Sequence, residues 1–282
     1  MNKVVIVGAG TMGSGIGYVT ARAGYQTNLY DPFPKVLEKA RAYHKKLIDR
    51  AVEKGQLTLD ETHAYWACVV YTDDLPAALH GADLVIESVP EKLELKKEVF
   101  QQIEQLAPPG AILSTNTSSL PVTELAGVVG NPGRVVGTHF FNPAPVMKLV
   151  EIIVGLNTNQ ETVDEVVEFV KSIDKEAVIV KDLPGFVTTR VGLMLISEAI
   201  FAYQEGAADK DDLDKAMKLG YNLPMGPLAL ADLVGLDVVL HILDALFENY
   251  KDSRYRAPIL LRRMVQAGKL GRKTGKGFYI YE

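Results

Sequence analysis

The sequence of 282 residues predicts an α/β fold, in which a doubly wound, mainly parallel sheet is followed by an all-helical C-terminal domain. Through the first 180 residues, short β-branched apolar runs alternate with longer segments of helical periodicity. That alternation is typical of a parallel sheet covered by helices. Beyond residues 181–185 strand-like runs almost disappear and helical patterns follow one another. The change predicts two domains, residues 1–182 and 183–282, in line with about 150 residues per domain.

The first predicted domain opens with a strand, a helix and a second strand, at 4–7, 11–23 and 27–30. Together they form one right-handed βαβ unit, and a long helix follows at 35–54. Later strands are predicted at 69–71, 84–88, 112–114, 135–139, 148–154 and 177–180, and later helices at 93–106 and 161–172. Because consecutive strands usually neighbour one another, we expect 135–139 and 148–154 to lie side by side.

The second predicted domain contains helices at 186–204, 210–219, 227–233, 237–250 and 258–267. Their apolar residues recur at helical spacing, which indicates the core of a helical bundle. A bundle this small and apolar often buries its remaining face against a second copy of itself. We therefore expect a homodimer formed through this domain.

Composition narrows the function classes. Lysine and arginine number 30 against 35 acidic residues, so the net charge is −5, and 48% of the residues are hydrophobic. The single cysteine, Cys68, excludes a disulfide framework or a cysteine zinc site, and we expect no metal. No apolar run approaches the roughly 18 residues of a membrane helix. We expect a soluble cytoplasmic protein that binds neither membranes nor nucleic acid.

A glycine-rich turn follows the first strand. Its sequence is Gly8-Ala9-Gly10-Thr11-Met12-Gly13, which fits the pattern GxGxxG between a strand and a helix, and Asp31 ends the next strand. In a Rossmann-type fold such glycines make the tight turn, admit a pyrophosphate and allow close packing of helix on strand. A carboxylate at Asp31 accepts ribose hydroxyls and repels a 2′-phosphate, which favours NAD over NADP. A glycine turn that binds no ligand is the weaker alternative.

Only one of the five histidines lies where chemistry is expected. His139 ends an apolar strand at the carboxyl edge of the predicted sheet, whereas His44, His63, His80 and His241 lie on helices or loops among polar neighbours. An imidazole can take a hydroxyl proton during oxidation by NAD, and a carboxylate improves such a base. Glu151, in the adjacent predicted strand, is the nearest suitable acid. From these residues alone, an ordinary buried histidine remains the better-supported interpretation of His139.

The polar loop 114–119, Ser-Thr-Asn-Thr-Ser-Ser, follows a strand at the same edge. Its hydroxyl and amide groups suit a substrate oxygen or a nicotinamide. From these residues alone, capping of the following short helix by Ser118 or Ser119 is the better-supported interpretation.

Motifs along nearly the whole chain carry a family resemblance. They are residues 7–13, 90–93 with 96–97, 114–120, 139–143 and 146–151, and in the second domain 217–220, 224–227 and 271–279. In this order they resemble the L-3-hydroxyacyl-CoA dehydrogenases, particularly the short bacterial 3-hydroxybutyryl-CoA type. The resemblance implies NAD as cofactor, an acyl-CoA substrate held between the domains, a homodimer and a role in fatty acid metabolism.

The same resemblance implies roles for individual residues. His139 and Glu151 become the catalytic pair, which reverses the preference for an ordinary buried histidine, and Ser118 contacts the 3-oxygen of the substrate. The implied cofactor contacts are Glu91, Lys96, Asn116 and Lys273, in addition to the glycine turn and Asp31, and the further implied substrate contacts are Asn142, Thr189 and Lys54. One position departs from the family pattern, because Thr189 stands where an asparagine usually precedes the arginine, here Arg190.

The helix at 35–54 carries seven cations and three acids, a local charge of +4. Such a surface attracts an anion, and coenzyme A carries a 3′-phosphate and a diphosphate. A solvated helix face with supporting i,i+4 acids is an equally good interpretation of any single lysine. Two rival functions remain open: a dehydrogenase of a free hydroxy acid or sugar acid, and an NAD-binding protein without catalysis.

Overall fold

The computed structural model describes residues 1–281, which form two compact units divided after Asp182. The first unit is built on one eight-stranded sheet in the order β3-β2-β1-β4-β5-β6-β7-β8. The strands are β1 Lys3–Val7, β2 Gln26–Tyr30, β3 Val69–Thr72, β4 Leu84–Glu87, β5 Ile112–Thr115, β6 Val135–Phe140, β7 Leu149–Val154 and β8 Glu176–Lys181. All pairs are parallel except β6 with β7. The predicted doubly wound, mainly parallel sheet is therefore confirmed.

Seven helices belong to the first unit. They are α1 Thr11–Arg22, α2 Pro34–Glu53, α3 Leu59–Cys68, α4 Leu75–Leu79, α5 Leu93–Leu106, α6 Val122–Ala126 and α7 Gln160–Ser172. Strand residues with no exposed surface, among them Val4, Ile6 and Ile86, form the centre of the core. Their apolar runs are continuous because helices cover both faces of a parallel sheet.

The sequence analysis missed helices α3 and α4. A capping box begins α3, in which Thr58 Oγ1 accepts from the Glu61 N–H while Glu61 accepts from the Thr58 N–H. That signal is legible in the sequence, but only Tyr65 of α3 is buried, so the apolar stripe that marks a helix is weak. The five-residue α4 is capped by Asp74, whose Oδ1 accepts from the Ala77 N–H at 3.0 Å.

The second unit is helical, as predicted. Its helices are α8 Thr188–Gln204, α9 Lys210–Gly220, α10 Pro227–Val234, α11 Leu236–Tyr250 and α12 Ile259–Gln266. Fully buried Leu228, Leu236 and Leu243 lie in its own hydrophobic core. Two buried carboxylates, Asp214 and Asp232, hold the C-terminal segment by accepting hydrogen bonds from the Tyr279 hydroxyl and from the Phe278 and Tyr279 N–H groups.

Candidate functional site

The glycine turn lies between β1 and α1, where the strand order reverses between β1 and β4 and where doubly wound folds bind their ligands. Gly8 has φ +103°, and a Cβ there would lie 2.6 Å from the Ser88 carbonyl oxygen. A Cβ on Gly13 would lie 1.8 Å from the Gly8 carbonyl oxygen, so the helix packs on the turn only because that side chain is absent. A Cβ on Gly10 would meet nothing within 4 Å, which leaves the backbone open to a ligand.

Asp31 follows β2 beside this turn. Its carboxylate is buried, and it accepts from the Ala9 N–H at 2.9 Å and from the Phe33 N–H at 3.0 Å. No side chain caps the start of α1, so the first-turn N–H groups, which include those of Thr11 and Met12, are available to an anion. An open backbone cradle, an uncapped helix start and a carboxylate fixed beside them together fit a dinucleotide.

His139 and Glu151 face each other across the antiparallel pair β6–β7. They are direct partners in the register, so their side chains project on the same face. The Nδ1 atom of His139 lies 2.8 Å from Oε2 of Glu151. Glu151 has no exposed surface and His139 is 6% exposed. The pairing that the sequence predicted for these strands is observed, and it brings an imidazole onto a buried carboxylate.

The polar loop 114–119 begins within β5, whose last two residues are Ser114 and Thr115, and β5 pairs with β6. Glu91 organises the loop, because its Oε1 accepts from the Ser118 N–H at 2.9 Å and from the Thr117 hydroxyl at 2.5 Å. Asn116 Oδ1 accepts from the Phe140 N–H at 3.1 Å, one residue after His139. The structure thus ties the loop that carries Ser118 to the strand that carries His139.

The capping role considered for Ser118 and Ser119 is not observed. Helix α6 starts after Pro121, with no side-chain cap from its own segment. Asp182, remote in sequence, accepts instead from the N–H groups of Val122 and Thr123, at 3.1 and 2.7 Å. A cap from a residue so far along the chain leaves no local signal.

The remaining predicted contacts lie in different surroundings. Lys96 is fully buried, whereas Asn142, in the turn after β6, and Lys54, at the end of α2, are exposed. In the second unit, Thr189 is half-buried near the start of α8. Lys273 lies in the 3₁₀ helix 272–274, and its Nζ is 2.5 Å from Asp237 Oδ1. This pairing holds the pKa of Asp237 below its usual range.

The description of His44 as lying among polar neighbours is wrong. Its side chain is fully buried between α1 and α2, with Nε2 2.7 Å from the Ser14 carbonyl oxygen. Its Nδ1 lies 2.7 Å from the Tyr65 hydroxyl and 2.6 Å from that of Tyr71. Burial lowers the pKa of His44 to about 4, so the ring stays neutral at physiological pH.

The sequence analysis also missed Glu87, the last residue of β4. Its carboxylate is fully buried and lies 2.7 Å from the ammonium of Lys96. A single acid at the carboxyl end of an otherwise apolar strand was the available signal.

Residues 1–281 contain neither a metal-binding cluster nor a membrane-spanning helix. No group of three or more histidine, cysteine or acidic side chains is arranged to hold a metal ion. No helix in the same range has the length and apolarity needed to cross a membrane.

Comparison with known proteins agrees with this geometry. The family model described as 3-hydroxyacyl-CoA dehydrogenase, NAD binding domain, matches residues 3–183, and that of the C-terminal domain of the same family matches residues 185–281. A probable 3-hydroxybutyryl-CoA dehydrogenase of Bacillus subtilis is 46% identical over 100% of this chain and 98% of its own length. A 3-hydroxybutyryl-CoA dehydrogenase of Clostridioides difficile is 44% identical, over 99% of each chain.

A solved structure is similarly close. The crystal structure of (S)-3-hydroxybutyryl-CoA dehydrogenase from Ralstonia eutropha is 39% identical and has a TM-score of 0.97, covering 100% of this chain and 99% of that one. A crystal structure of a second relative, from Mycobacterium tuberculosis, has a TM-score of 0.93. With both domains matched and the glycine cradle formed, the chain belongs to the 3-hydroxyacyl-CoA dehydrogenase family and is an NAD-dependent dehydrogenase.

Proposed function

We propose that the protein interconverts (S)-3-hydroxyacyl-CoA and 3-ketoacyl-CoA, with 3-hydroxybutyryl-CoA as its substrate, using His139 as the general base. The observation that carries the proposal is the buried His139–Glu151 pair near the carboxyl end of β6, with His139 Nδ1 and Glu151 Oε2 2.8 Å apart. The names of the relatives support the substrate, since they are 3-hydroxybutyryl-CoA dehydrogenases of nearly equal length.

In this mechanism His139 takes the proton of the 3-hydroxyl group. Because Nδ1 faces Glu151, Nε2 is the ring nitrogen assigned to the proton. The charge that then develops on the imidazolium is stabilised by the Glu151 carboxylate, which also fixes the orientation of the ring. The Ser118 hydroxyl donates a hydrogen bond to the 3-oxygen and keeps it in place. In the reverse direction His139 returns the proton to the ketone oxygen.

NAD, when bound, supplies the hydride acceptor. The residues proposed to hold it are Gly8, Gly10, Thr11, Met12 and Gly13 at the pyrophosphate and Asp31 at the ribose, with Glu91, Asn116 and Lys273 as further contacts. The turn and the acid suit these parts because backbone N–H groups at a helix start favour phosphates, and a carboxylate accepts ribose hydroxyls.

The basic face of α2 is proposed to receive the phosphates of coenzyme A. All its cations are exposed, and they are Lys35, Lys39, Arg41, Lys45, Lys46 and Arg50, followed by Lys54. Of these, Lys45 is paired with Asp49 at 2.6 Å, so part of the face is already neutralised by the protein. The unpaired positive charge supports an anionic thioester over a free hydroxy acid. Asn142, and Thr189 of the second unit, are proposed as further substrate contacts.

The helical unit is proposed to form a homodimer, in a cytoplasmic enzyme of fatty acid metabolism. Support for the dimer comes from apolar side chains that this unit leaves exposed, including Val191, Val238 and Ile259, since apolar surface exposed on one copy is commonly buried against a second. Light scattering after size exclusion should give twice the mass of the 30.8 kDa chain. A monomer at micromolar concentration would contradict the proposed homodimer.

The activity is tested by NADH oxidation with acetoacetyl-CoA and with acetoacetate at equal concentration. We expect turnover with the thioester and about 100-fold less, or none, with the free acid, because the basic face of α2 contributes only to binding of the CoA part. Faster turnover of the free acid would instead favour a hydroxy-acid dehydrogenase. Absence of turnover with both, in a protein that binds NADH, would favour a non-catalytic role.

A further inference from the structure

A buried ion pair lies beside the polar loop 114–119. Lys96 of α5 and Glu87 of β4 have no exposed surface, and Nζ lies 2.7 and 2.9 Å from the two carboxylate oxygens. The Thr115 hydroxyl and the Val89 N–H also donate to Glu87, each at 2.7 Å. The carboxylate therefore accepts four hydrogen bonds from three donor groups and acts as an acceptor at both oxygens, as an ionised group does.

Stability alone does not account for this pair. Burial raises the pKa of Glu87 above its usual range, against the attraction of Lys96, so burial opposes the charged form. Replacing a buried ion pair by apolar side chains of similar volume is often neutral or stabilising. A role for the pair is therefore to be found in the contacts that Lys96 makes beyond Glu87.

Those contacts lead to the loop. Lys96 Nζ donates to the Asn116 carbonyl oxygen at 3.4 Å and lies 3.4 Å from Glu91 Oε2. The other oxygen of Glu91 accepts from the Ser118 N–H. The buried Lys96 ammonium thus contacts the loop directly at Asn116, and it is linked to Ser118 through Glu91.

The same loop is also hydrogen-bonded to β6, the strand that carries His139. The Asn116 side chain accepts from the Phe140 N–H at 3.1 Å. The backbone N–H of Asn116 donates to the Glu87 carbonyl oxygen at 2.7 Å. A shift of Asn116 would therefore change the position of the loop relative to His139. Misplacement of reacting groups by about 1 Å can cost 100-fold in rate.

We propose that Lys96 and Glu87 are positioning residues, which act through Glu91 and Asn116 to hold Ser118 in place relative to His139. This inference rests on the proposed function, in which the side chains of Ser118 and His139 contact the substrate. The acceptors observed around the Lys96 ammonium are protein groups of Glu87, Glu91 and Asn116.

The first test is steady-state kinetics and NADH binding of Lys96→Met. We expect kcat with acetoacetyl-CoA to fall by about 10- to 100-fold, while the Kd of NADH, measured by fluorescence, stays within about threefold of wild type. A Kd weakened about tenfold or more with kcat retained would make Lys96 a cofactor contact and overturn the proposal. Unchanged kcat, KM and Kd would overturn it as well.

The second test does not depend on activity. Hydrogen exchange of a peptide covering residues 114–120 should become faster in Lys96→Met, because the loop loses its anchor. Lys97→Met is the matched control, since Lys97 lies next along α5 and pairs with Glu94 and Glu124. The control should leave loop exchange and kcat unchanged. Equal exchange in wild type and Lys96→Met would contradict positioning, even if the protein were found to act on another substrate.

A double variant covers the case in which Lys96→Met fails to fold because a buried carboxylate is left unpaired. Glu87→Gln combined with Lys96→Met removes both charges, and the amide oxygen can still accept from the Val89 N–H while the amide NH2 donates to the Thr115 hydroxyl, which can accept as well as donate. We expect it to fold, with fast loop exchange and lowered kcat. Wild-type exchange and kcat in this folded double variant would overturn the proposal.

Discussion

His139 and His44 are both buried in the first unit, yet their rings face different partners. A carboxylate, Glu151, lies 2.8 Å from Nδ1 of His139. The ring of His44 contacts a backbone carbonyl and two phenols, all neutral groups. At His44, burial disfavours the charged imidazole and lowers its pKa to about 4.

We therefore expect the partner of each buried histidine, more than its burial, to decide what the ring can do. A carboxylate partner stabilises the imidazolium that proton transfer would produce. Neutral partners stabilise the uncharged ring, so His44 serves to connect α2 to α1 behind the glycine turn. The two histidines should therefore respond to mutation in opposite ways, one in activity and the other in stability.

The largest expected effect is on turnover. His139→Gln should lower kcat by about 100- to 10,000-fold, because an amide cannot take the hydroxyl proton. Glu151→Gln should cost less, since the imidazole remains but loses the charge that stabilises it. Both are measured by NADH oxidation with acetoacetyl-CoA.

His44→Gln is the matched control for this experiment. It removes an imidazole that is also buried, and its kcat should stay within about twofold of wild type at 25 °C because neutral contacts away from the reacting atoms are lost. Near-normal turnover in His139→Gln, or a large loss in His44→Gln, would reverse the assignment of the two histidines.

The second largest effect is expected on kcat/KM when the Ser118 hydroxyl, in the loop hydrogen-bonded to β6, is removed. Ser118→Ala should lower kcat/KM by about 10- to 100-fold through loss of one hydrogen bond to the 3-oxygen. Because Glu91 holds the Ser118 backbone N–H and not its hydroxyl, the loop should keep its conformation and the melting temperature should not change. Ser119→Ala in the same loop provides the comparison, and an equal loss of kcat/KM there would argue against a specific role for Ser118.

The third effect is a pH dependence of stability at His44. Above pH 6.5 the ring is neutral in both folded and unfolded chains, and its contribution is fully present. Between pH 6.5 and about 4 the unfolded chain takes up the proton while the folded one does not, so stability falls as the pH falls. The expected loss from this group is about 2 kcal/mol at pH 5.

Urea unfolding at pH 7.5 and pH 5 measures this loss. Wild type should lose about 2 kcal/mol more than His44→Gln between the two values, whereas His63→Gln, at an exposed site on α3, should behave as wild type. The same pH dependence in wild type and His44→Gln would show that the ring is not held neutral.

The smallest expected effect concerns Thr189. An asparagine offers two donors and a separate acceptor where the threonine hydroxyl offers one donor. Thr189→Asn, which restores the residue usual in the family, should raise kcat/KM for acetoacetyl-CoA by about two- to tenfold. A fall in kcat/KM would indicate that this chain is adapted to threonine, and the same assay with longer 3-ketoacyl-CoA substrates would then show whether the preferred acyl length has changed.

Much of the first unit could be predicted from sequence because its signals are local. The alternation of apolar runs with helical segments, the glycine turn and the return of the chain from β6 to β7 each depend on neighbours along the chain. The predicted bounds of α5 agree with the structure at both ends. Helix α3 was missed although its capping box is local, since only one of its residues is buried.

The sequence by itself determined the sheet, the helical second unit and the dinucleotide turn, because strand pattern, helix period and glycine spacing are properties of short segments. It also brought His139 and Glu151 into adjacent strands. Only the tertiary structure decided that His44 is buried among phenols, that Asp182 caps α6, and that Lys96 is enclosed by Glu87 and Glu91. These contacts join segments far apart in the chain, and burial and pairing of charge depend on the fold as a whole.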